Sequence, residues 1–215
     1  MLQVRHYSFF DKICLCIDQT IRTLGDNPKT TGAPYPASSV QDTQLTEKEQ
    51  KESAALMHIN HAGEICAQAL YHGQGIVSRS SSLQKKMQKA AIEEGDHLTW
   101  CLERLHELGS HTSYLNPVWY LGSFCIGMTA GLMGETWSLG FVAETEKQVV
   151  KHLEGHLQIL KEKDARSFAI LQQMEKDETK HRDEAMEAGA EILPNPIKQG
   201  MSLLAKVMVK TAYFI

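Results

Sequence analysis

The chain has 215 residues, of which 42% are hydrophobic and 22% charged, and this composition excludes a disordered protein and one embedded wholly in a membrane. Its 22 Lys and Arg stand against 26 Asp and Glu, so the net charge is -4 and we expect no nucleic-acid partner. Five cysteines without a C-x-x-C pair argue against a disulfide framework or a cysteine zinc site and favour a reducing compartment.

The first 45 residues differ in character from the remainder. A periodic apolar pattern from Tyr7 to Leu24 is interrupted by charges, which predicts a short amphipathic helix and not a secretory signal. Residues 25–44 are rich in Pro, Gly, Ser and Thr, which is typical of a linker or of an ordered loop without regular structure. The sequence therefore predicts an N-terminal helix and linker over residues 1–45 and a main domain over residues 46–215.

The main domain has the pattern of long helices. Thr46 followed by Glu49 forms a capping box, and the apolar periodicity after it runs to about Val77. Asp164 is a candidate cap for a later helix. No segment alternates with a period of two for long enough to form a strand. The prediction is an all-α protein with its long helices at residues 46–77, 83–108, 135–161 and 164–189.

Two other segments of the main domain are apolar. Tyr114–Gly134 has no charged residue and is long enough to be a transmembrane candidate, but its four glycines and its polar residues favour a buried or interfacial helix. Ile197–Ile215 is apolar and basic together, which predicts either a docked terminal helix or a helix on a membrane surface. In the second case its three lysines would meet anionic headgroups; they are Lys198, Lys206 and Lys210.

One short spacing of a carboxylate and an imidazole occurs twice. Glu94 precedes His97 by three positions, and Glu178 precedes His181 by the same interval. Residues three apart lie on one face of a helix, so each pair can bind one metal ion while the second carboxylate oxygen reaches a neighbouring ion. A single pair is weak evidence, whereas two pairs on two helices indicate a site for a pair of metal ions.

Such a site requires one further Glu from each of two other helices. Glu64 supplies the first, 30 positions before Glu94. Either Glu144 or Glu146 supplies the second, and helical phase favours Glu146 because it shares a face with Val142 and other apolar residues, where an unpaired carboxylate would be costly. The two halves then resemble an internal duplication, and the predicted ligands are Glu64, Glu94, His97, Glu146, Glu178 and His181.

The predicted ligand set also indicates which metal it suits. Four carboxylates and two imidazoles are hard donors that fit Fe or Mn better than Zn. Among the other histidines, His152 is either a support behind the ligands or part of a solvated stripe. His58 and His61 are expected to be hydrogen-bonded residues of the core.

These motifs resemble the di-iron hydroxylases of ubiquinone biosynthesis. The resemblance rests on His-Ala-Gly-Glu ending at Glu64, on the two Glu-x-x-His pairs and on the interval from Glu146 to His152, and it covers roughly residues 46–213. It implies a ferritin-like four-helix bundle with additional membrane-contacting helices and a centre of two iron ions. It also implies O₂ as the oxidant and the ring of a polyprenylated demethoxyubiquinol as the substrate.

The resemblance has consequences for location and partners. We expect peripheral attachment to the cytoplasmic side of the cell membrane, because Tyr114–Gly134 matches the membrane-contacting region of the family. Self-association and association with other proteins of ubiquinone biosynthesis are both open. Two other functions also fit the residues: a ferritin-like iron-storage or peroxide-reducing protein, and a non-catalytic quinone-binding protein on the membrane surface.

Overall fold

The computed structural model describes residues 9–213, and helices account for most of this range. No strand occurs among these residues, and the all-α prediction is confirmed. The start of the predicted first helix at Tyr7 lies outside the described residues, as do the last two residues of the chain. In chain order the helices are α1 (Phe9–Leu24), α2 (Glu47–Val77), α3 (Ser81–Glu107), α4 (Asn116–Leu132), α5 (Glu135–Leu160), α6 (Ala165–Glu187) and α7 (Asn195–Ala212).

Side-chain caps set the starts of the long helices. The Thr46 hydroxyl accepts a hydrogen bond from the Glu49 amide, and the Glu49 carboxylate accepts one from the Thr46 amide, so the predicted capping box is confirmed. The Asp164 carboxylate caps α6 by accepting from the Ser167 amide. Helix α3 begins two residues before the predicted position because the Ser80 hydroxyl caps it.

Four helices form the bundle. Helices α2 and α3 make one hairpin, α5 and α6 make a second, and the two hairpins pack face to face with α4 lying against α2. The apolar core lies where the four helices meet, and burying it is the main contribution to the stability of the bundle. Its buried members from the four helices are Leu56, Met57, Trp100, Cys101, Leu105, Leu153, Leu160, Ile170, Leu171 and Met174.

Helix α4 approaches α2 closely because both carry glycines at the crossing. A Cβ atom at Gly127 would overlap the Leu70 carbonyl oxygen, and one at Gly73 would overlap the Phe124 carbonyl oxygen. The expectation that small residues of the uncharged segment allow close packing is therefore confirmed. None of the helices within residues 9–213 combines the length and the hydropathy that a bilayer crossing requires.

The C-terminal half of helix α7 packs against α2, and its N-terminal half contacts α5 through Lys198 and Met201. Ala212 is fully buried and packs with Ile59 and Ala62 of α2, while Trp119 of α4 borders the same cluster. The opposite side of α7 is exposed to solvent, including Leu203 and other apolar side chains. Helices α4 and α7 are therefore neighbours on one side of α2.

The segment between α1 and α2 is an ordered loop that packs against the bundle. Ala37 is fully buried, and Ala33 and Tyr35 pack against the same core. The buried Asp96 carboxylate of α3 accepts hydrogen bonds from the amides of three consecutive loop residues and from the Thr31 hydroxyl. Since Asp96 lies between Glu94 and His97, this loop holds the turn of α3 that carries both predicted ligands.

Candidate metal centre

Four of the six predicted ligands converge in the middle of the bundle. Each can offer one ligand atom to a common point, and these atoms all lie within 4.8 Å of one another. All four side chains are buried, with exposed fractions of 3% or less. The four residues come from α2, α3 and α6, and they are Glu64, Glu94, His97 and Glu178.

His181 joins the same cluster from the other side. Its Nδ1 atom lies 3.2 Å from Oε1 of Glu94 and 3.2 Å from Oε2 of Glu178. The Nδ1 atom of His97 lies 3.1 Å from Oε2 of Glu94 and 3.0 Å from Oε1 of Glu178. Each of the two carboxylates therefore directs one oxygen to each histidine, which is the arrangement of a carboxylate that bridges two ions.

Glu146 is buried beside the cluster but makes a different contact. Its exposed fraction is 1%, and it accepts a hydrogen bond from the Tyr71 hydroxyl of α2. Glu144 instead pairs with Lys147 and Lys198 at 3.7 Å and 3.8 Å. The choice by helical phase correctly separated the buried carboxylate from the one paired with lysines, while the role of Glu146 as a ligand stays a prediction.

Two carboxylates behind the histidines were missed by the sequence analysis. Nε2 of His97 lies 3.2 Å from Oδ2 of Asp177, and Nε2 of His181 lies 2.7 Å from Oε2 of Glu93. Each acid immediately precedes the glutamate of a Glu-x-x-His pair, yet it contacts the histidine of the other pair. The signal in the sequence was therefore the acid that stands before each motif.

The charges of the cluster shift the pKa values of its members in opposite directions. Burial raises the pKa of Glu64 well above its usual range, and the nearby charges of Glu94 and Glu178 raise it further. Burial, followed by the charges of Glu178 and Glu94, likewise raises the pKa of Glu146. Burial opposes the charge on His97, but Asp177 and two cluster carboxylates still raise its pKa well above the usual value.

Glu94 and His181 show a similar balance between burial and nearby charge. Burial alone would raise the pKa of Glu94, but the close polar contacts with His181 and His97 outweigh it and lower that pKa. Burial also opposes the charge on His181, and its close contacts with the carboxylates of Glu178, Glu93 and Glu94 raise its pKa despite this. The acidic cluster thus favours positive charge at its centre.

The donor atoms fit metal ions. Oε1 of Glu94 and Oε1 of Glu178 are buried, and among the described residues neither has a partner in hydrogen-bonding geometry, although a histidine nitrogen is near each. Buried carboxylate oxygens normally have partners, and coordination to a cation would satisfy both. The cluster of buried Glu and His side chains can therefore hold metal.

Comparison with known proteins identifies the family. The family model described as "Ubiquinone biosynthesis protein COQ7" matches residues 51–212. The chain belongs to the COQ7 family. This membership confirms the resemblance seen in the sequence and the ferritin-like helical bundle that it implied.

Curated relatives of the COQ7 family match over the whole chain. A protein of Nitrosococcus oceani is 50% identical over 214 residues, which is 100% of both chains. One of Legionella pneumophila strain Paris is 49% identical over 99% of this chain and 100% of its own. One of Xylella fastidiosa is 46% identical over 100% of this chain and 99% of its own. All three are named 3-demethoxyubiquinol 3-hydroxylase.

The structure also shows the surroundings of His152 and His61, two histidines outside the predicted ligand set. The His152 ring lies 4.1 Å from the His156 ring, and Nδ1 of His156 lies 3.2 Å from Oδ1 of Asn60, so a supporting role for His152 stays a prediction. His61 is fully buried, and among the described residues neither ring nitrogen has a hydrogen-bond partner. The prediction that His61 is a hydrogen-bonded residue of the core is therefore wrong. Burial, with the charges of neighbouring histidines, lowers the pKa of His61 to about 3.

Proposed function

We propose that this chain is an O₂-dependent di-iron monooxygenase that hydroxylates the ring of a polyprenylated demethoxyubiquinol. The relatives are named for 3-demethoxyubiquinol, and we propose 2-polyprenyl-3-methyl-6-methoxy-1,4-benzoquinol as the specific substrate. The observation that carries the proposal is the pair of carboxylates, Glu94 and Glu178, that each direct one oxygen to each histidine. A bundle core shaped for a pair of ions is the requirement for this chemistry.

The proposed ligands divide into two halves that share the bridging pair. One ion would be held by Glu64 and His97, the other by Glu146 and His181, with Glu94 and Glu178 between them. Four carboxylates offset the charge of two divalent ions, and oxygen-rich donors favour iron over zinc. When bound, the iron supplies the electrons that activate O₂.

The carboxylates of Glu93 and Asp177 fix the orientation and the protonated nitrogen of each histidine. Asp177 lies at Nε2 of His97, and Glu93 lies at Nε2 of His181. A carboxylate in that position holds the proton on Nε2, so that the lone pair on Nδ1 faces the cluster. Glu93 and Asp177 therefore act as positioning residues that keep both imidazoles ready to bind metal.

A narrow cleft between α2 and α5 has Tyr71 and Glu146 in its lining. It is too tight to hold a water molecule, and its lining combines apolar side chains with polar ones; the residues are Ala67, Leu70, Tyr71, Gln74, Phe141, Val142, Thr145 and Glu146. The apolar part of the lining excludes water and suits a quinol ring that must meet an oxidant without side reactions. We infer that the substrate ring reaches the centre at this cleft, and α2 and α5 would have to separate there to admit it.

The outer faces of α4 and α7 supply a surface for the isoprenoid tail. Leu121 of α4 and Leu203 of α7 have exposed fractions of 65% and 64%, and other exposed apolar residues accompany them on both helices. Since the two helices are neighbours, these side chains can enter one leaflet together. Lys206 and Lys210 are exposed near them, whereas Lys198 lies 3.8 Å from Glu144 and is unsuited to the predicted headgroup contact.

This surface supports peripheral attachment to a membrane, and we propose that it contacts the cytoplasmic side of the cell membrane. An opening at the lipid surface would let the ring reach the centre while the tail stays in the bilayer. Self-association, or association with other proteins of ubiquinone biosynthesis, would have to leave that surface free.

Metal analysis and single-turnover chemistry test the proposal together. We expect the purified chain to hold a pair of iron ions and, after reduction, to convert a short-chain demethoxyubiquinol to its hydroxylated product with O₂. Chain that holds iron but leaves the quinol unchanged would favour an iron-storage protein. Chain without iron would favour a non-catalytic quinone-binding protein.

A further inference from the structure

The two halves of the cluster differ in one contact. On the second half, the Tyr71 hydroxyl of α2 donates a hydrogen bond to Glu146 of α5. Both residues are buried, with exposed fractions of 2% and 1%. The Tyr71 hydroxyl is thus hydrogen-bonded to a carboxylate that we predict to be a metal ligand.

The first half has no matching hydroxyl. Helices α2 and α5 run antiparallel, because Tyr71 meets Glu146 while Asn60, earlier on α2, meets His156, later on α5. Tyr71 stands seven positions after Glu64, and the position seven after Glu146 is Leu153. A leucine side chain has no hydrogen-bond donor, so the equivalent positions of the two halves differ: Tyr71 can donate a hydrogen bond to a glutamate, and Leu153 cannot.

The two glutamates that do not bridge the ions, Glu64 and Glu146, also differ in how they relate to the cluster. Glu64 belongs to the group whose ligand atoms lie within 4.8 Å of one another, and its Oε2 lies 3.9 Å from Nδ1 of His97. Among the described residues, Glu146 and His181, the two ligands proposed for the second half, are not part of that group. The half that contains the tyrosine contact is therefore the half whose own two ligands lie outside that group.

The contact also lies at the cleft between α2 and α5. Tyr71 and Glu146 both line it, together with apolar residues of the two helices. A carboxylate held by Tyr71 leaves the second half of the centre with fewer donors on that side. The first half has no such restriction.

We propose that Tyr71 is a positioning residue that competes with the metal for Glu146 and so makes the two metal positions unequal. This inference rests on the metal centre proposed above. The first half, which includes Glu64 and His97, takes the tighter ion. The half with His181 takes the weaker ion. Because Tyr71 holds Glu146, a coordination position of that ion would stay open on the side of the cleft, where O₂ or the quinol can approach.

Anaerobic titration of the metal-free chain with Co(II), monitored by calorimetry and absorbance, measures the difference in affinity between the two metal positions. It does not depend on enzyme activity. We expect two binding steps in the wild-type protein. Tyr71→Phe should tighten the weaker step by about tenfold, because a hydrogen bond to a carboxylate no longer competes with the ion, and should leave the tighter step unchanged.

Tyr120→Phe is the matched control, because Tyr120 is also buried but its hydroxyl lies near Thr20 and His72, away from the cluster. It should change neither step. A weaker step that is unchanged or loosened in Tyr71→Phe overturns the inference. Failure of the wild-type chain to take up a pair of ions contradicts the proposed metal centre instead.

A second readout applies even if Tyr71→Phe folds poorly. Wild-type chain labelled with ¹³C at the tyrosine ring can be titrated with diamagnetic Zn(II). The Tyr71 signal should shift during the second binding step, when Glu146 leaves the hydroxyl for the ion. A signal that stays constant through both steps would show that Tyr71 keeps Glu146, and the inference would fail.

Discussion

Oε2 of Glu93 lies 2.7 Å from Nε2 of His181, a residue 88 positions later on another helix. Asp177 makes the reciprocal contact with His97 at 3.2 Å. Each Glu-x-x-His helix therefore orients the histidine of its partner helix. The metal ligands of α3 and α6 are positioned as one unit, and a change behind one histidine should affect the whole centre.

Replacing these outer carboxylates should weaken metal binding while leaving the fold intact. Glu93→Gln and Asp177→Asn each remove the charge that holds a histidine proton on Nε2, and each should lower iron affinity by about 10- to 100-fold. Anaerobic Fe(II) titration measures the loss. Asp183→Asn, which changes an exposed acid of α6, is the control and should bind iron normally. Unchanged affinity in both test variants would refute the positioning role.

Glu146 and Glu144 should differ sharply although they are two positions apart. Glu146→Gln replaces a buried carboxylate beside the cluster and should abolish hydroxylation of the quinol. Glu144→Gln changes a residue that pairs with Lys147 and Lys198 and should keep nearly full activity. Turnover of a short-chain demethoxyubiquinol distinguishes them, and the reverse order of activities would show that Glu146 is not a ligand.

His61 should make the protein less stable in mild acid. Its pKa is about 3 in the folded chain, because of burial and neighbouring histidine charges, against about 6.5 when unfolded. Below the unfolded pKa the unfolded chain binds a proton that the folded chain does not, so stability is lost as the pH falls. Between pH 7 and pH 5 this loss should reach about 2 kcal/mol from His61 alone.

Urea denaturation at the two pH values measures this effect. His61→Leu should show a smaller loss of stability between pH 7 and pH 5 than the wild-type chain. His111→Gln, which changes an exposed histidine, should behave like wild type. Identical pH dependence in His61→Leu and wild type would mean that His61 is not buried in its neutral form.

The apolar surface of α4 and α7 should determine membrane attachment. Replacing Leu121 and Leu203 together by Glu puts charges where two exposed apolar side chains would enter the lipid, and vesicle binding should weaken by at least about tenfold. Flotation with anionic vesicles measures the binding. Met186→Glu, on α6, is the control and should float like wild type. Unaltered flotation of the double variant would place the membrane contact elsewhere.

Much of the fold could be predicted because its signals are local. The capping box of Thr46 and Glu49 and the cap at Asp164 set helix starts, and both were recognised from a few neighbouring residues. The burial of Glu146 could also be predicted, because helical phase alone places it with apolar neighbours. The start of α3 was misplaced by two residues because several serines in succession offered alternative caps.

The remaining features depend on packing between distant segments. The contacts of Glu93 with His181 and of Tyr71 with Glu146 require the final arrangement of two hairpins, which no local pattern contains. The loop held by Asp96 is similar, because its composition fits a free linker equally well. His61 was expected to have a hydrogen bond because most buried polar groups have one, and the packing of α2 leaves it without.

The most direct test of the central claim is the quinone profile of a bacterial strain that lacks its own demethoxyubiquinol hydroxylase and expresses this chain. The wild-type chain should restore ubiquinone. Glu178→Ala, which removes one bridging carboxylate, should accumulate demethoxyubiquinone at an equal protein level. Accumulation of demethoxyubiquinone with well-expressed wild-type chain, or full restoration by Glu178→Ala, would contradict the account.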